Sequence, residues 1–92
     1  MPEPKTILDL RPAPLRGTAP LPVPLAVSVR PLTLEDIEEG THDLSAADAP
    51  VLVVCERGTR SALAARYLRA DGLDATHWAG SWAELLERLT AT

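Results

Sequence analysis

Apolar residues along the chain fall into short unspaced clusters and longer segments with helical spacing. The short clusters contain β-branched residues and end at prolines, glycines or charged residues, which is typical of strands. The predicted strands are 6–10, 25–29, 51–54 and 75–79. Apolar residues three and four positions apart predict amphipathic helices. The predicted helices are 33–40, a segment from about 60–62 to 71, and 81–90, with a helical turn at 45–48.

The predicted helix that ends near residue 71 carries two pairs of apolar residues one turn apart. Together they predict a stripe that faces the sheet, with arginines on the wet side. The stripe consists of Leu63, Ala64, Tyr67 and Leu68.

Residues at the predicted helix ends have the chemistry that caps helices. Thr33 can accept from first-turn amides, and Ser81 with Glu84 forms a capping-box pattern. Gly40 and Gly72 follow predicted helices and can take the left-handed conformation that ends them.

The alternation of strands and helices predicts the fold class α/β. We expect three layers, with a mostly parallel sheet of four to five strands and helices on both faces. Ligand sites in such sheets lie at the carboxyl ends of the strands. Cys55 follows the strand 51–54 directly, so the sequence places a thiol at that edge.

Length and composition narrow the class of protein. The 92 residues predict one domain, 1–92, with a flexible stretch at 1–5 and a proline-rich loop at 12–24. A net charge of −4 with scattered arginines argues against nucleic acid as a partner. We expect no membrane partner and no signal peptide, because no apolar run could span a bilayer. A single cysteine fits a reducing, cytoplasmic setting.

The residues after Cys55 can activate its thiol. A free thiol has a pKa of about 8.5, and a helix N-terminus or a nearby arginine favours the thiolate. Arg57 and Arg60 are the available cations, and Gly58 permits a tight turn without a side chain. The alternative for Cys55 is a buried, inert thiol at the end of a strand.

Other polar residues have simpler interpretations. Asp9 and Arg11 are expected to pair locally near the end of the first strand, and His42 to be solvated in a loop. His77 is expected to be a packing or surface residue, and Trp82 a core residue or part of a pocket mouth. Metal-ligand spacing is absent from the sequence, so no metal site is predicted.

The segment Cys55-Glu56-Arg57-Gly58-Thr59-Arg60-Ser61 resembles the active-site loop of the rhodanese-like sulfurtransferases. Leu8-Asp9-Leu10-Arg11 is similar to the family's Asp-x-Arg segment, and Ala79-Gly80 to its Gly-Gly pair. The chain departs from the family at 12–24, where the usual acidic helix and the following turn are replaced by prolines. The resemblance covers 51–82 closely and 6–11 moderately, and indicates a shortened version of the fold.

The resemblance implies a sulfurtransferase without cofactors, in which Cys55 takes sulfur from a donor such as thiosulfate. Cyanide or a thiol, including one on a sulfur-accepting protein, then removes the sulfur from the Cys55 persulfide. The implied substrate-binding loop consists of Glu56, Arg57, Gly58, Thr59, Arg60 and Ser61.

Two other functions remain open at this stage. A cysteine-dependent phosphatase or arsenate reductase is one, but those loops have one more residue between Cys and Arg than the four between Cys55 and Arg60. The other is a non-catalytic or carrier module that regulates a partner protein or delivers persulfide to it.

Overall fold

A computed structural model of the chain describes residues 4–11, 27–55 and 59–90. The predicted flexible stretch at 1–5 and the proline-rich loop at 12–24 therefore lie largely outside the described residues. The strands are β1 Thr6–Asp9, β2 Ser28–Pro31, β3 Val51–Val54 and β4 Ala75–His77. The helices are α1 Leu34–Glu38, α2 Thr59–Ala70 and α3 Trp82–Thr90, with a 3-10 turn at Ala46–Asp48.

Within the described ranges the four strands form one parallel sheet in the order β2-β1-β3-β4. In register, Thr6 of β1 stands opposite Ser28 of β2 and Val51 of β3. Val51 stands opposite Ala75 of β4 on its other side. The predicted α/β class with a parallel sheet is confirmed.

The two central strands, β1 and β3, are buried on both faces. This explains why Ile7, Leu8 and every residue of β3 are apolar, since strands covered by helices on both faces have no polar side. One face of the sheet packs against α1 and α2, through Leu8, Val51, Val53, Ile37, Ala64, Ala65 and Leu68. The other face packs against α3, through Ile7, Leu52, Val54 and Leu85, with Trp78, Trp82 and Leu89 partly buried beside them. The predicted helices on both faces are therefore present.

The predicted caps form where the sequence placed them. Thr33 Oγ1 accepts from the Asp36 amide at 3.1 Å, and the Asp36 carboxylate accepts from the Thr33 amide at 3.3 Å. Ser81 Oγ accepts from the Glu84 amide at 3.1 Å. Gly40, with φ +76, and Gly72, with φ +86, adopt the left-handed conformation after α1 and α2.

Two strands differ from the prediction in position. The strand predicted at 25–29 is observed at Ser28–Pro31, and the strand predicted at 75–79 ends at His77. Strand β2 lies at the edge of the sheet and is largely exposed, so its apolar residues do not decide its limits. Pairing with β1 decides them, and Pro31 is tolerated because an edge strand needs fewer backbone donors.

The prediction that Leu63 and Tyr67 face the sheet is wrong. They are 37% and 38% exposed, and Ala64, Ala65 and Leu68 form the buried face together with Ser61. The stripe through Leu63 and Tyr67 and the stripe through Ala64 and Leu68 both follow helical spacing. Spacing alone therefore does not decide which of the two faces the sheet. The stripe with small residues faces the sheet, which lets α2 approach the strands closely.

The prediction that His42 is solvated is also wrong. The His42 side chain is buried between the segment after α1 and the end of α2. Its Nδ1 accepts from the Leu44 amide at 3.0 Å, and its Nε2 lies 3.1 Å from Asp71 Oδ2. Both ring nitrogens have partners, which is why an imidazole is tolerated away from water.

None of the helices in ranges 4–11, 27–55 and 59–90 combines the length and apolar character needed to cross a membrane.

Candidate active site

The carboxyl edge of the sheet has a topological switch point between β1 and β3. The chain leaves β1 toward β2 on one side, whereas β3 continues toward β4 on the other side. Connections that diverge in this way leave space at the carboxyl ends of the two adjacent strands, where open α/β sheets bind ligands. The Leu10 amide donates to Val54 O at 3.0 Å and carries the pairing of β1 and β3 up to this edge.

Cys55 follows β3 at this edge and is half-buried. The backbone amide of Ser61 donates to Cys55 Sγ across 3.4 Å. Ser61 is the third residue of α2, so this amide is one of those that have no partner within the helix. The thiol of Cys55 therefore lies at a helix N-terminus, where backbone amides favour negative charge.

The predicted loop residues occupy different environments. Thr59 and Arg60 belong to the first turn of α2 and are exposed, although the sequence prediction placed both before the helix or at its start. Ser61 is fully buried and contacts Cys55 through its backbone. Glu56, Arg57 and Gly58 lie outside the described residues.

Asp9 and Arg11 lie at the same edge, at the end of β1 and just after it. Arg11 Nη2 donates to Asp9 Oδ2 at 2.8 Å, and Arg11 Nε donates to Oδ1 at 3.0 Å. The Arg11 amide donates to Oδ1 as well, at 3.0 Å. Both side chains are buried, so the predicted local pairing is confirmed as a buried bidentate ion pair.

The Arg11 guanidinium also lies over the Trp82 ring, with its central carbon 4.7 Å from the ring centre. Trp82 is the first residue of α3 and is half-buried against the core. The contact joins the segment after β1 to the start of α3, and sequence reasoning missed it. In the sequence, only the tryptophan at a predicted helix start and the Asp-x-Arg segment at a predicted strand end hinted at it.

Titratable residues in ranges 4–11, 27–55 and 59–90 do not gather into a metal site. Among the residues that the structure describes, no group of three or more His, Cys, Asp or Glu side chains could hold an ion. His77 is half-buried in β4, opposite Val53 of β3, in agreement with a packing role.

This is therefore a small α/β protein whose one cysteine meets a helix N-terminus at the carboxyl edge of a parallel sheet. A rhodanese homologue from the extremely thermophilic bacterium Thermus thermophilus is 36% identical in sequence. That match covers 85% of this chain and 79% of the homologue, with a TM-score of 0.61. The chain belongs to the rhodanese-like family.

A rhodanese-like domain protein from Staphylococcus aureus shares the fold at 24% identity. The match covers 82% of this chain and 68% of that protein, with a TM-score of 0.60. No family model and no curated protein matches the sequence.

Proposed function

We propose that this protein is a sulfurtransferase that carries sulfur on Cys55. The observation that supports the proposal best is the hydrogen bond from the first turn of α2 to Cys55 Sγ. An amide that donates to sulfur stabilises a thiolate, which is the reactive form of cysteine. The same amide is suited to hold the terminal sulfur of a persulfide, which is also anionic.

The reaction has two steps that pass through a covalent intermediate. The Cys55 thiolate attacks the outer sulfur of thiosulfate, the sulfur–sulfur bond of thiosulfate breaks, and sulfite leaves with the bonding electron pair. Cyanide or a thiolate then attacks the outer sulfur of the persulfide. Cyanide leaves as thiocyanate, a thiolate leaves as a persulfide, and the Cys55 thiolate is restored. Because sulfite leaves before the acceptor attacks, the reaction follows ping-pong kinetics.

The remaining site residues have secondary roles in this proposal. Arg57 and Arg60 attract the anionic donor, and Glu56, Gly58 and Thr59 belong to the substrate-binding segment that the family resemblance implies. We assign no cofactor to the reaction. Because the chain has one cysteine, the acceptor comes from outside the protein. We propose a reducing, cytoplasmic setting on the same ground, since the chain cannot form an internal disulfide.

Intact-mass measurement after incubation with thiosulfate tests the proposal. We expect a gain of one sulfur atom, its removal by cyanide, and no gain in Cys55→Ser. Failure of thiosulfate, 3-mercaptopyruvate and a low-molecular-weight persulfide to load the protein would overturn the enzymatic function. Cys55-dependent hydrolysis of p-nitrophenyl phosphate would support a phosphatase in its place.

The carrier function differs from the enzyme only in its acceptor. A carrier would load with sulfur but release it slowly to cyanide and to small thiols. Comparing the rates of loading and discharge in single-turnover experiments separates the two functions.

A further inference from the structure

The side of α2 that faces away from the sheet exposes apolar residues. Leu63 and Tyr67 are one turn apart there, and each exposes more than a third of its surface. With Arg66 and Ala70 they line a shallow cavity of about 270 Å³. We call these four residues, with Arg60, the α2 outer face.

Charge on α2 is opposite to the charge of the chain as a whole. The helix carries three of the nine basic residues, Arg60, Arg66 and Arg69, and none of the 13 acidic ones. Among the described residues no carboxylate forms an ion pair with Arg60 or Arg66. A cavity lined by leucine, tyrosine and alanine, beside guanidinium groups that form no ion pair with a described carboxylate, is complementary to an apolar side chain flanked by carboxylates.

The α2 outer face is close to the proposed sulfur. Ser61, which contacts Cys55 Sγ, and Arg60 both lie in the first turn of α2. Tyr67 lies six residues beyond Ser61, about 9 Å along the helix axis at about 1.5 Å per residue. A protein that covers this face and extends past the first turn of α2 would therefore reach the end of the helix at which Cys55 lies.

We propose that the α2 outer face is the docking surface for an acidic protein whose thiol accepts sulfur from Cys55. The inference deepens the proposed sulfurtransferase function and rests on it. Two partly exposed apolar side chains offer far less area than the roughly 1,200 Å² that a stable complex buries. The interaction is therefore transient, as release of the acceptor after each transfer requires.

A second shallow cavity has the wrong charge for this partner. It is lined by Trp78, Glu84, Glu87 and Arg88, so it has two carboxylates to one guanidinium group, whereas the lining of the α2 cavity includes a guanidinium group and no carboxylate. Of the two cavities, the one on the α2 outer face is therefore the better match for an acidic partner.

The first test measures binding without sulfur chemistry. The probe is a fluorescent glutamate-rich peptide with one leucine and no cysteine, and its counterpart has lysine at every glutamate. We expect the acidic peptide alone to bind, with an affinity that falls as salt is added. Arg66→Glu should weaken this binding about tenfold, because an attractive charge pair becomes repulsive.

Matched variants separate docking from general effects. Tyr67→Ala should weaken binding of the acidic peptide about fivefold, since it removes apolar contact area. Lys5→Glu makes the same change in net charge at an exposed residue before β1, and binding should not change. Equal effects of Arg66→Glu and Lys5→Glu would overturn the proposal, because net charge alone would then explain them.

The second test measures discharge of the Cys55 persulfide. A glutamate-rich peptide that contains one cysteine should accept sulfur more slowly from Arg66→Glu than from the unaltered protein, while discharge to cyanide should not differ. If both protein forms load with sulfur and bind the peptide unequally, yet discharge sulfur to it at equal rates, the surface has no role in the transfer. That result would overturn the transfer role. Absence of loading in every variant, with selective peptide binding intact, would overturn the sulfurtransferase function and leave an acidic docking surface.

Sedimentation velocity tests the rival occupant, a second copy of this chain. We expect a monomer at the protein concentrations of the binding experiments. A dimer that Tyr67→Ala abolishes would make the α2 outer face a self-association interface and overturn the proposal.

Discussion

The Arg11 guanidinium donates to both oxygens of the Asp9 carboxylate, at 2.8 Å to Oδ2 and at 3.0 Å to Oδ1, and the two residues are only two positions apart in sequence. Arg11 is only 4% exposed, so this ion pair is removed from water at the edge of the sheet beside Cys55. Stacking of Arg11 on Trp82 extends the pair to the start of α3. The segment after β1 is therefore held by side-chain contacts on two sides.

Breaking the pair should destabilise the protein strongly. We expect Asp9→Ala or Arg11→Ala to lower the free energy of unfolding by about 3–5 kcal/mol, because each removes the opposite charge from a buried ion pair. Arg11→Lys should not rescue stability, since one ammonium cannot reproduce the fork that meets both carboxylate oxygens. Urea denaturation measures these changes.

The double variant Asp9→Ala with Arg11→Ala is the control for this prediction. Its loss of stability should be smaller than the sum of the two single losses, because no unpaired charge remains. Additive losses would contradict the ion pair.

The exposed arginine in the first turn of α2 should assist the thiolate of Cys55 modestly. We expect iodoacetamide to alkylate Cys55 well below pH 8, and Arg60→Ala to move the midpoint of the pH profile upward by less than about one unit. Removing a cation disfavours the thiolate, which gives the upward sign. The small size follows from the exposure of Arg60 to water.

Salt and a distant lysine provide the controls for alkylation. The difference between Arg60→Ala and the unaltered protein should shrink at high ionic strength, and Lys5→Ala should leave the midpoint unchanged. A midpoint at the value of an ordinary thiol would mean that α2 does not activate Cys55.

Replacing the buried His42 should cost stability mainly through its backbone partner. We expect His42→Ala to lower the free energy of unfolding by about 2 kcal/mol, because the half-buried Leu44 amide loses its acceptor. Asp71 is 48% exposed at its side chain, so Asp71→Ala should cost less than about 1 kcal/mol. Thermal or urea denaturation of both variants, with His77→Ala as a comparison, tests this ranking.

Two leucines on α2 provide a matched test of which side of the helix faces the sheet. Leu68 is fully buried, and Leu68→Ala should cost about 2–5 kcal/mol of stability. Leu63 is exposed, and Leu63→Ala should change stability by no more than about 0.5 kcal/mol. Similar costs for the two substitutions would contradict the observed orientation of α2.

Local patterns predicted much of the fold and part of the candidate site. The run Val51–Val54 could only be a buried strand, and the caps at Thr33 and Ser81 depend on neighbouring residues alone. The placement of Cys55 after that strand follows from chain order, and its contact with Ser61 agrees with the predicted strand, loop and helix. The roles of Glu56, Arg57 and Gly58 stay predictions.

The parallel α/β architecture and the cysteine at its carboxyl edge could be predicted from the sequence, because both follow from residue types close together along the chain. Packing between distant parts of the chain sets the strand order, the limits of β2 and the stripe of α2 that faces the sheet. It also brought His42 to Asp71 and Arg11 to Trp82. These contacts join residues far apart in sequence, and spacing along the chain carries no information about which distant surfaces pack together.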